Sequence, residues 1–284
     1  MPDPVLITTD LDRTLIFSRR ATTELGGALP ADPVESAGAS QASAELSHAA
    51  RDALLALPGH VRICVATSRS VARLARLRLP FAARYSIAAN GGVVLDGGAP
   101  DPEWAARTAR LLARAAPAAD VRAVIAGSAG AAGGRSGASW LDRFGDEDDM
   151  CCLAIVDLAR LEAGRYADLS ARCAELGWEA SLTGRKLYAF PAGFGKEHAA
   201  KFVADRIGHE AGAQPQRLAA GDAEHDRLML ADADQAWLPA GSELAETPRL
   251  VPGCRVTRQP GHGAAAEIAG DWLAICRGAA RRAG

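Results

Sequence analysis

Two aspartates follow the first apolar segment of the chain, with a single residue between them. The segment Val5-Leu6-Ile7-Thr8-Thr9 is apolar and β-branched, a pattern typical of a buried parallel strand, and it runs directly into Asp10-Leu11-Asp12. Ligands of open parallel sheets bind outside the carboxyl ends of the strands, so both carboxylates are expected at a binding site. Asp10 could act there as a nucleophile and Asp12 as a general acid and base in phosphoryl transfer. A solvated acidic turn is the alternative for an isolated pair of this kind.

Two further polar segments stand where a phosphate group could be bound. Thr67-Ser68 follows a predicted strand over 61–66. The hydroxyl of Thr67 and the nearby backbone N–H groups at the start of the next helix can hold phosphate oxygens. Lys196 follows a glycine-containing turn and opens a predicted helix, where its ammonium can neutralise Asp10 and a transferring phosphoryl group. The alternatives are an N-cap at Thr67 and a solvated surface lysine at 196.

A second group of carboxylates begins after another short apolar strand. Gly221-Asp222 follows Leu218-Ala219-Ala220, and Asp226 lies four residues further on. Asp10, the backbone carbonyl of Asp12 and Asp222 would together form an all-oxygen site suited to octahedral Mg²⁺. Asp226 would support the metal's water molecules or Lys196. The alternative for this segment is a capped helix start with a surface carboxylate.

The predicted elements that position these residues alternate between strand and helix, which indicates an α/β fold with a Rossmann-like parallel sheet. The pattern is interrupted. Residues 93–191 predict a separate α+β unit, with helices over 103–115 and 166–176 and strands over 121–125, 151–156, 179–182 and 186–190. We therefore expect a catalytic core of residues 1–92 and 192–284 with an inserted cap domain of residues 93–191. Residues 26–47 show little periodicity and predict a mobile excursion.

Composition excludes several classes of protein. The 284 residues are 49% hydrophobic and 23% charged, an ordinary globular balance, and the formal net charge of -2 provides no broad cationic surface for nucleic acid or an anionic membrane. The six cysteines form no C-x-x-C pair, and no apolar run approaches the ~20 residues that span a bilayer. No signal peptide is recognisable, so we expect a reducing, cytoplasmic location and a small-molecule partner.

Taken in order, the motifs resemble a known family. The set Asp10-Leu11-Asp12-Arg13-Thr14-Leu15, Thr67-Ser68-Arg69, Lys196 and Gly221-Asp222-x-x-x-Asp226 is similar to the four motifs of the haloacid dehalogenase-like (HAD) phosphatases. The insertion, with Ala89-Asn90-Gly91-Gly92 at its start, resembles the Cof-type and sucrose-phosphatase-like branch, which carries a large α/β cap.

The resemblance implies a role for each matching residue. Asp10 is the nucleophile, Asp12 the acid and base, Thr67 and Lys196 are phosphate ligands, and Asp222 and Asp226 belong to a Mg²⁺ site. In this branch the cap selects the leaving group, so Ser68, Arg69, Asn90 and the pair Arg185-Lys186 are candidates for substrate binding, with a solvated surface as the alternative for that pair. The same alternative holds for the cap segments 127–139 and 146–149.

Two positions depart from the family pattern, and three functions stay open. Arg13 replaces the usual glycine and could narrow the site or bind an anionic substrate, while His225 stands where asparagine is common and could alter the metal's outer shell. The carboxylate of Asp12 favours hydrolysis of a phosphate ester, such as a sugar phosphate or a similar phosphorylated metabolite. The alternatives are a phosphotransferase or mutase resembling the phosphomannomutases, and a catalytically silent regulatory protein.

Overall fold

A computed structural model of the chain describes residues 3–35, 44–130, 139–145, 150–162, 164–247 and 251–282. The described chain divides into two compact units. The first comprises Met1–Asp101 and Gly195–Gly284, and the second comprises Pro102–Phe194. The sequence placed the first boundary at 92/93, but residues 93–101 belong to the first unit because they pair with the edge of its sheet. Residues 192–194, which the sequence placed with the first unit, belong to the second.

The first unit is built on an eight-stranded sheet with helices between its strands. Its elements are β1 (Val5–Thr9), α1 (Arg19–Leu25), β2 (Ala31–Pro33), β3 (Glu45–Ser47), α2 (His48–Leu55), β4 (Val61–Ala66), α3 (Val71–Leu74), β5 (Tyr85–Ala88), β6 (Val93–Asp96) and β7 (Ala99–Pro100), and, after the second unit, α7 (Lys196–Ala211), β12 (Gln216–Ala220), α8 (Arg227–Ala231), β13 (Gln235–Ala240), β14 (Cys254–Pro260) and α9 (Gly261–Arg282).

The strand order of this sheet is β14-β13-β12-β1-β4-β5-β6-β7. All pairs from β14 to β5 are parallel, and β6 and β7 add an antiparallel edge. The chain leaves β1 toward β4 on one side and returns later to β12 on the other. Such a reversal opens a crevice at the carboxyl end of the central strand. The predicted α/β fold with a large parallel sheet is confirmed.

Burial explains why β1 occupies the centre of the sheet. Its five residues are all buried, and the side chains of Val5 and Ile7 pack with Leu218 of β12 and Ile63 of β4. Helix α9 covers this cluster with a face that includes Trp272. A strand that is buried on both faces reads as a continuous apolar run, which is the pattern that the sequence carries here.

The stretch predicted as a mobile excursion contains regular structure in its described part. Strands β2 and β3 form an antiparallel pair, and Glu35 forms an isolated bridge with Leu77. The prediction missed these two strands because each has only 3 residues, too few to show a period in the sequence. Residues 36–43 lie outside the described chain.

In its described residues, the second unit has an antiparallel sheet and three helices. These elements are α4 (Pro102–Leu112), α5 (Ala118–Gly130), β8 (Leu141–Phe144), β9 (Cys152–Val156), α6 (Arg165–Glu175), β10 (Trp178–Thr183) and β11 (Lys186–Pro191). The strand order is β10-β11-β9-β8. Helices α5 and α6 bury Val121, Ile125 and Leu169 against one face of this sheet.

Part of the cap prediction needs correction. Residues 121–125 were predicted as a strand, but they form the middle of α5, because the surrounding alanines favour helix and Val121 and Ile125 lie one helical turn apart on its buried side. Arg185 is exposed, pairs with Asp142 and donates to the carbonyl of Val156. Residues 131–138 of the predicted Gly/Ala/Ser loop and the acidic run 146–149 lie outside the described residues.

No helix in the described part of the chain combines the length and apolar character needed to cross a bilayer.

Candidate active site

The first unit brings four of the predicted residues to one edge of its sheet. Asp10 follows β1, Thr67 follows the neighbouring β4, and Asp222 follows β12 on the other side. Lys196 opens α7, which packs against β1 and β4. All four side chains are buried. Parallel register accounts for the meeting, since Thr9 of β1 pairs with Ala220 of β12 and Val65 of β4.

Lys196 joins two of the carboxylates. Its Nζ donates to Oδ1 of Asp10 at 2.7 Å and to Oδ1 of Asp226 at 2.7 Å, and its side chain is only 2% exposed. Burial alone would lower the pKa of Lys196, but the two carboxylates outweigh burial and raise this pKa above its ordinary value. The ammonium is therefore fixed in its charged form between the groups it neutralises.

Asp226 holds the neighbouring turn in place. Its Oδ2 accepts hydrogen bonds from the backbone N–H groups of Asp222 at 3.0 Å and Ala223 at 3.1 Å. Gly221 is required for this approach, because a Cβ atom there would lie 2.4 Å from the Cβ of Asp226. Asp226 thus positions both Lys196 and the backbone that carries Asp222.

The donor set fits a hard divalent cation. Carboxylate oxygens of Asp10, Asp222 and Asp226 lie within 4.8 Å of one another, and all three residues are buried. Burial raises the pKa of Asp10 to about 7; Lys196 opposes this rise, and the nearby Asp226 and Asp12 add to it. Burial, followed by the charges of Asp10 and Asp226, likewise raises the pKa of Asp222 well above its ordinary value. Crowded oxygens of this kind are what Mg²⁺ binds.

The side chain of Asp12 faces a different partner. Arg69 donates from Nε and Nη2 to the two carboxylate oxygens of Asp12, both at 2.7 Å, and from Nη1 to Oε1 of Glu35 at 2.8 Å. Arg69 is only 5% exposed. The sequence suggested Arg69 as a substrate ligand, whereas the structure places its guanidinium on two carboxylates of the protein. Among the described residues, the side chain of Asp12 is not part of the cluster that could hold a metal.

Glu35 is a residue of this site that sequence reasoning missed. It lies in the stretch predicted to be mobile, and no motif marks it. Its bridge with Leu77 brings this stretch next to the segment that follows α3, and its side chain is 10% exposed. No signal in the sequence could have found it, because the contact of Glu35 with Arg69 depends on pairing between distant segments.

Thr67 lies at the centre of the loop between β4 and α3. Its Oγ1 accepts a hydrogen bond from the N–H of Arg69 at 3.1 Å, and its carbonyl accepts one from Asn90 at 3.1 Å. The alternative reading of Thr67 as an N-cap is wrong, because Ser70 caps α3 by accepting from the N–H of Arg73. The neighbouring Ser68 is half-buried. The hydroxyl of Thr67 thus orders the loop that leads into α3.

Asn90 stands in an unusual turn after β5. Ala89, Asn90 and Gly91 have successive φ values of 48°, 52° and 97°, a conformation that non-glycine residues rarely adopt. A Cβ at Gly91 would lie 2.3 Å from the carbonyl oxygen of Gly195, so the turn packs directly on the start of α7. Within the described chain, the Oδ1 atom of Asn90 is buried without a hydrogen-bond partner. Strain and an unpaired polar atom of this kind are frequent at ligand sites.

The two residues that depart from the family pattern both lie beside the carboxylates. Arg13 has a φ of 68°, and its Nε is 3.9 Å from Oδ2 of Asp222. Burial, with a smaller effect of Lys196, lowers the pKa of His225 to about 4, so its imidazole is neutral at pH 7. His225 therefore adds no cation to the site.

Comparisons with known proteins support the fold at low sequence similarity. The sequence matches no family model and no curated protein. The structure is similar to the sucrose-phosphatase of Synechocystis sp. PCC6803 solved in complex with sucrose and phosphate, with a TM-score of 0.61, 14% identity, and 95% of this chain and 98% of that one covered.

Two further solved structures have a similar fold. The C-terminal domain of C. albicans trehalose-6-phosphate phosphatase has a TM-score of 0.60 at 13% identity, with 96% of this chain and 94% of that one covered. A haloacid dehalogenase-like hydrolase from Bacillus subtilis has a TM-score of 0.50 at 10% identity, with 94% and 91% covered. The chain therefore shares its fold with these solved structures, in agreement with the fold expected from its motifs.

Proposed function

We propose that the protein is a Mg²⁺-dependent phosphomonoesterase that acts on a small phosphorylated metabolite, such as a sugar phosphate, through an aspartyl-phosphate on Asp10. The observation that carries this proposal is the buried cluster in which Lys196 bridges Asp10 and Asp226 while Asp222 lies beside them. The solved structures with this fold include phosphatases of sucrose phosphate and trehalose 6-phosphate.

Asp10 is the proposed nucleophile. Lys196 donates to its Oδ1, and the hydroxyl of Thr14 donates to its Oδ2 at 3.3 Å, so the carboxylate is held in one orientation. A nucleophile must be ionised and aimed at phosphorus, and the ammonium favours the ionised form. One oxygen of Asp10 attacks phosphorus, the P–O bond to the leaving group breaks, and the phosphoryl group remains on Asp10.

Asp12 is the proposed acid and base. A protonated Asp12 gives its proton to the departing alkoxide, and the resulting carboxylate later takes a proton from the water that attacks phosphorus. Hydrolysis releases inorganic phosphate and regenerates Asp10. Arg69 is the positioning residue for Asp12, because its two hydrogen bonds fix the carboxylate beside the site. Thr67 and Asn90 are the proposed ligands of phosphate and substrate, with Ser68 beside them.

Asp10, Asp222 and the backbone carbonyl of Asp12 would hold Mg²⁺, with Asp226 supporting the site through Lys196 and bound water. The ion would offset the charge on the phosphoryl oxygens and on the crowded carboxylates. Lys196 contributes a second positive charge at the nucleophile, which is already in place without the ion.

The test is release of inorganic phosphate from a panel of sugar phosphates and an aryl phosphate, measured with Mg²⁺ and with EDTA. We expect Mg²⁺-dependent release by wild type, loss in Asp10→Asn, and little change in the control Asp205→Asn, which alters an exposed carboxylate on α7. Acid quenching during turnover should leave one phosphoryl group on wild type and none on Asp10→Asn by intact mass.

Three results separate the alternatives. Phosphate release without a bisphosphate activator favours hydrolysis, whereas an absolute requirement for the activator with no free phosphate would favour a mutase. Absence of both activities across the panel would favour a silent protein. Equal activity of Asp10→Asn and wild type would refute the proposed nucleophile.

A further inference from the structure

Arg13 is a cation at the solvent edge of the carboxylate cluster. Its side chain is 42% exposed, whereas that of Asp222, which it approaches, is 9% exposed. We propose that Arg13 binds a second anionic group of the substrate, so that the preferred substrates are phosphate esters whose leaving group carries a carboxylate or another phosphate. This inference rests on the proposed phosphatase function, which it makes more specific.

The contacts of Arg13 leave its guanidinium able to turn toward a ligand. Its Nε lies 3.9 Å from Asp222 and its Nη1 lies 3.5 Å from Oε2 of Glu24, a residue that is itself 42% exposed. Direct hydrogen bonds between charged groups are about 2.7–2.9 Å long. Arg13 is thus attracted by two carboxylates without being fixed by either.

The other two cations of the site are already occupied. Lys196 contacts Asp10 and Asp226 at 2.7 Å each, and Arg69 contacts Asp12 twice at 2.7 Å. A substrate anion would have to break these buried contacts to recruit either group, and an unpaired buried charge is costly. Arg13 can meet such an anion by giving up only long, partly exposed contacts.

The backbone holds Arg13 in this place at a cost. Its φ of 68° lies in the left-handed region, which disfavours residues with a Cβ. The N–H of Arg13 donates to the carbonyl of Ile16 at 2.8 Å, and the N–H of Thr14 donates to that of Leu11 at 3.2 Å, so the turn is firmly closed. Glycine would fit this conformation without strain. Strained residues that persist in a firmly held turn are frequent at functional sites.

Without a bound metal ion, the side chains of the carboxylate cluster beside Arg13 carry a net negative charge. Three carboxylates and one ammonium, from Asp10, Asp222, Asp226 and Lys196, carry a formal charge of −2 when all are ionised. The proposed Mg²⁺ would offset this charge at the phosphoryl group. A second anionic group on the leaving group would still lose its hydration on binding unless a cation faces it. Arg13 supplies that cation, and its planar fork suits a carboxylate or a phosphate.

The experiment compares two substrates that differ only in the second charge. Glycerol 3-phosphate has an uncharged leaving group, and 3-phosphoglycerate carries a carboxylate at the corresponding position. We expect wild type to prefer 3-phosphoglycerate in kcat/KM. Arg13→Gln should lower this preference by about 10- to 100-fold, mainly through KM, which is the range for loss of a charged hydrogen bond. Arg13→Lys should restore part of it.

Two further variants separate the loss of the cation from changes in the backbone and in the surface charge. Arg13→Gly removes the cation and also relieves the backbone strain, so it should fold at least as well as wild type and still lose the preference. Arg20→Gln is the matched control, because Arg20 also contacts Glu24, at 2.6 Å, but is highly exposed on α1. It should leave the preference unchanged. The pair glucose 6-phosphate and glucose 1,6-bisphosphate then shows whether a second phosphate is accepted as well as a carboxylate.

The outcomes are decisive. An unchanged substrate ratio in Arg13→Gln, or an equal loss with both substrates, would overturn the inference, since the second result would mean that Arg13 acts only through Asp222. If no ester is hydrolysed, only the proposed phosphatase function is refuted. The role of Arg13 is then tested by calorimetry, which measures the Kd of each of the two phosphate esters in the Asp10→Asn background. If the ratio of these two Kd values falls in the Asp10→Asn/Arg13→Gln double variant, the result supports anion binding by Arg13. An unchanged ratio refutes it.

Discussion

Replacing Lys196 by methionine removes the charge that connects two buried carboxylates while keeping a side chain of similar length. Lys196 is 2% exposed, and each of its contacts, to Asp10 and to Asp226, is 2.7 Å long. Methionine fills irregular space well, so the change leaves little cavity. Its effect is therefore mainly electrostatic, and the two carboxylates lose their common partner.

The expected cost is large for a single substitution. Loss of one member of a buried ion pair destabilises a protein by about 3–5 kcal/mol, because the remaining charge is left without compensation. Two hydrogen bonds to charged groups, at roughly 1.5–3 kcal/mol each, lead to a similar figure. We expect the free energy of unfolding in EDTA at pH 8 to fall by about 3–5 kcal/mol.

The pH dependence of this cost has a definite sign. The pKa of Lys196 is raised by its partners above its unfolded value of ~10.5, so Lys196 stays charged between pH 5 and 8 and any pH dependence in this range comes from its partners. Asp10 has a folded pKa of about 7, so it favours the folded state most when protonated, and this benefit is lost as pH rises from about 4 through 7. Loss of Lys196 raises this pKa further, so the variant loses less stability at pH 5 than at pH 8.

Urea titration followed by circular dichroism and tryptophan fluorescence measures this difference. Lys201→Met is the matched control, because Lys201 is an exposed residue of the same helix and its replacement should cost less than about 0.5 kcal/mol. A loss below about 1 kcal/mol at pH 8, or a loss of equal size at both pH values, would refute the reasoning that Lys196 compensates buried ionised carboxylates.

Two further predictions concern the loops around the site. Arg69→Met should reduce kcat by about 100-fold, with a smaller change in KM and a shifted pH profile of kcat, because Asp12 loses its orientation. Arg69→Lys should restore part of the rate. An unchanged pH profile in Arg69→Met would refute the positioning role of Arg69. Gly91→Ala should destabilise the protein by about 2–4 kcal/mol in urea titrations, since its φ is 97° and its Cβ would meet a backbone oxygen at 2.3 Å. Gly98→Ala, with a φ of 88° but open space, should cost only about 1–2 kcal/mol; equal losses in both variants would contradict the steric argument.

The sequence was most informative where one strong local pattern decides the structure. The strands β1 and β4 are short and mainly apolar, and both have the bounds that the sequence predicted. The residues that follow β1, β4 and β12 lie at the carboxyl ends of neighbouring parallel strands, so the sequence alone predicts Asp10, Thr67 and Asp222 at one sheet edge.

Local sequence patterns gave wrong predictions where pairing or packing with residues distant in the sequence decides the structure. Residues 121–125 have β-branched character but are helical, because α6 and the sheet of the second unit bury their helical face. The helix expected after Thr67-Ser68 has only 4 residues, Val71–Leu74. Glu35 could not be assigned to the site, since only its bridge with Leu77, 42 positions away in the chain, brings it to Arg69.

The two arginines of the site have similar positions in the sequence but different surroundings in the fold. Arg13 and Arg69 each lie within two residues of a predicted catalytic group, and both are equally plausible substrate ligands from sequence. Partner distances separate them: Arg69 makes three contacts of 2.7–2.8 Å, whereas the contacts of Arg13 are 3.5 and 3.9 Å long. A guanidinium already paired in a buried site serves to orient its partner, and one held loosely at the surface can exchange carboxylates of the protein for an anion of the substrate. The proposed division of roles between positioning and recognition therefore rests on burial and distance, which are properties of the folded chain.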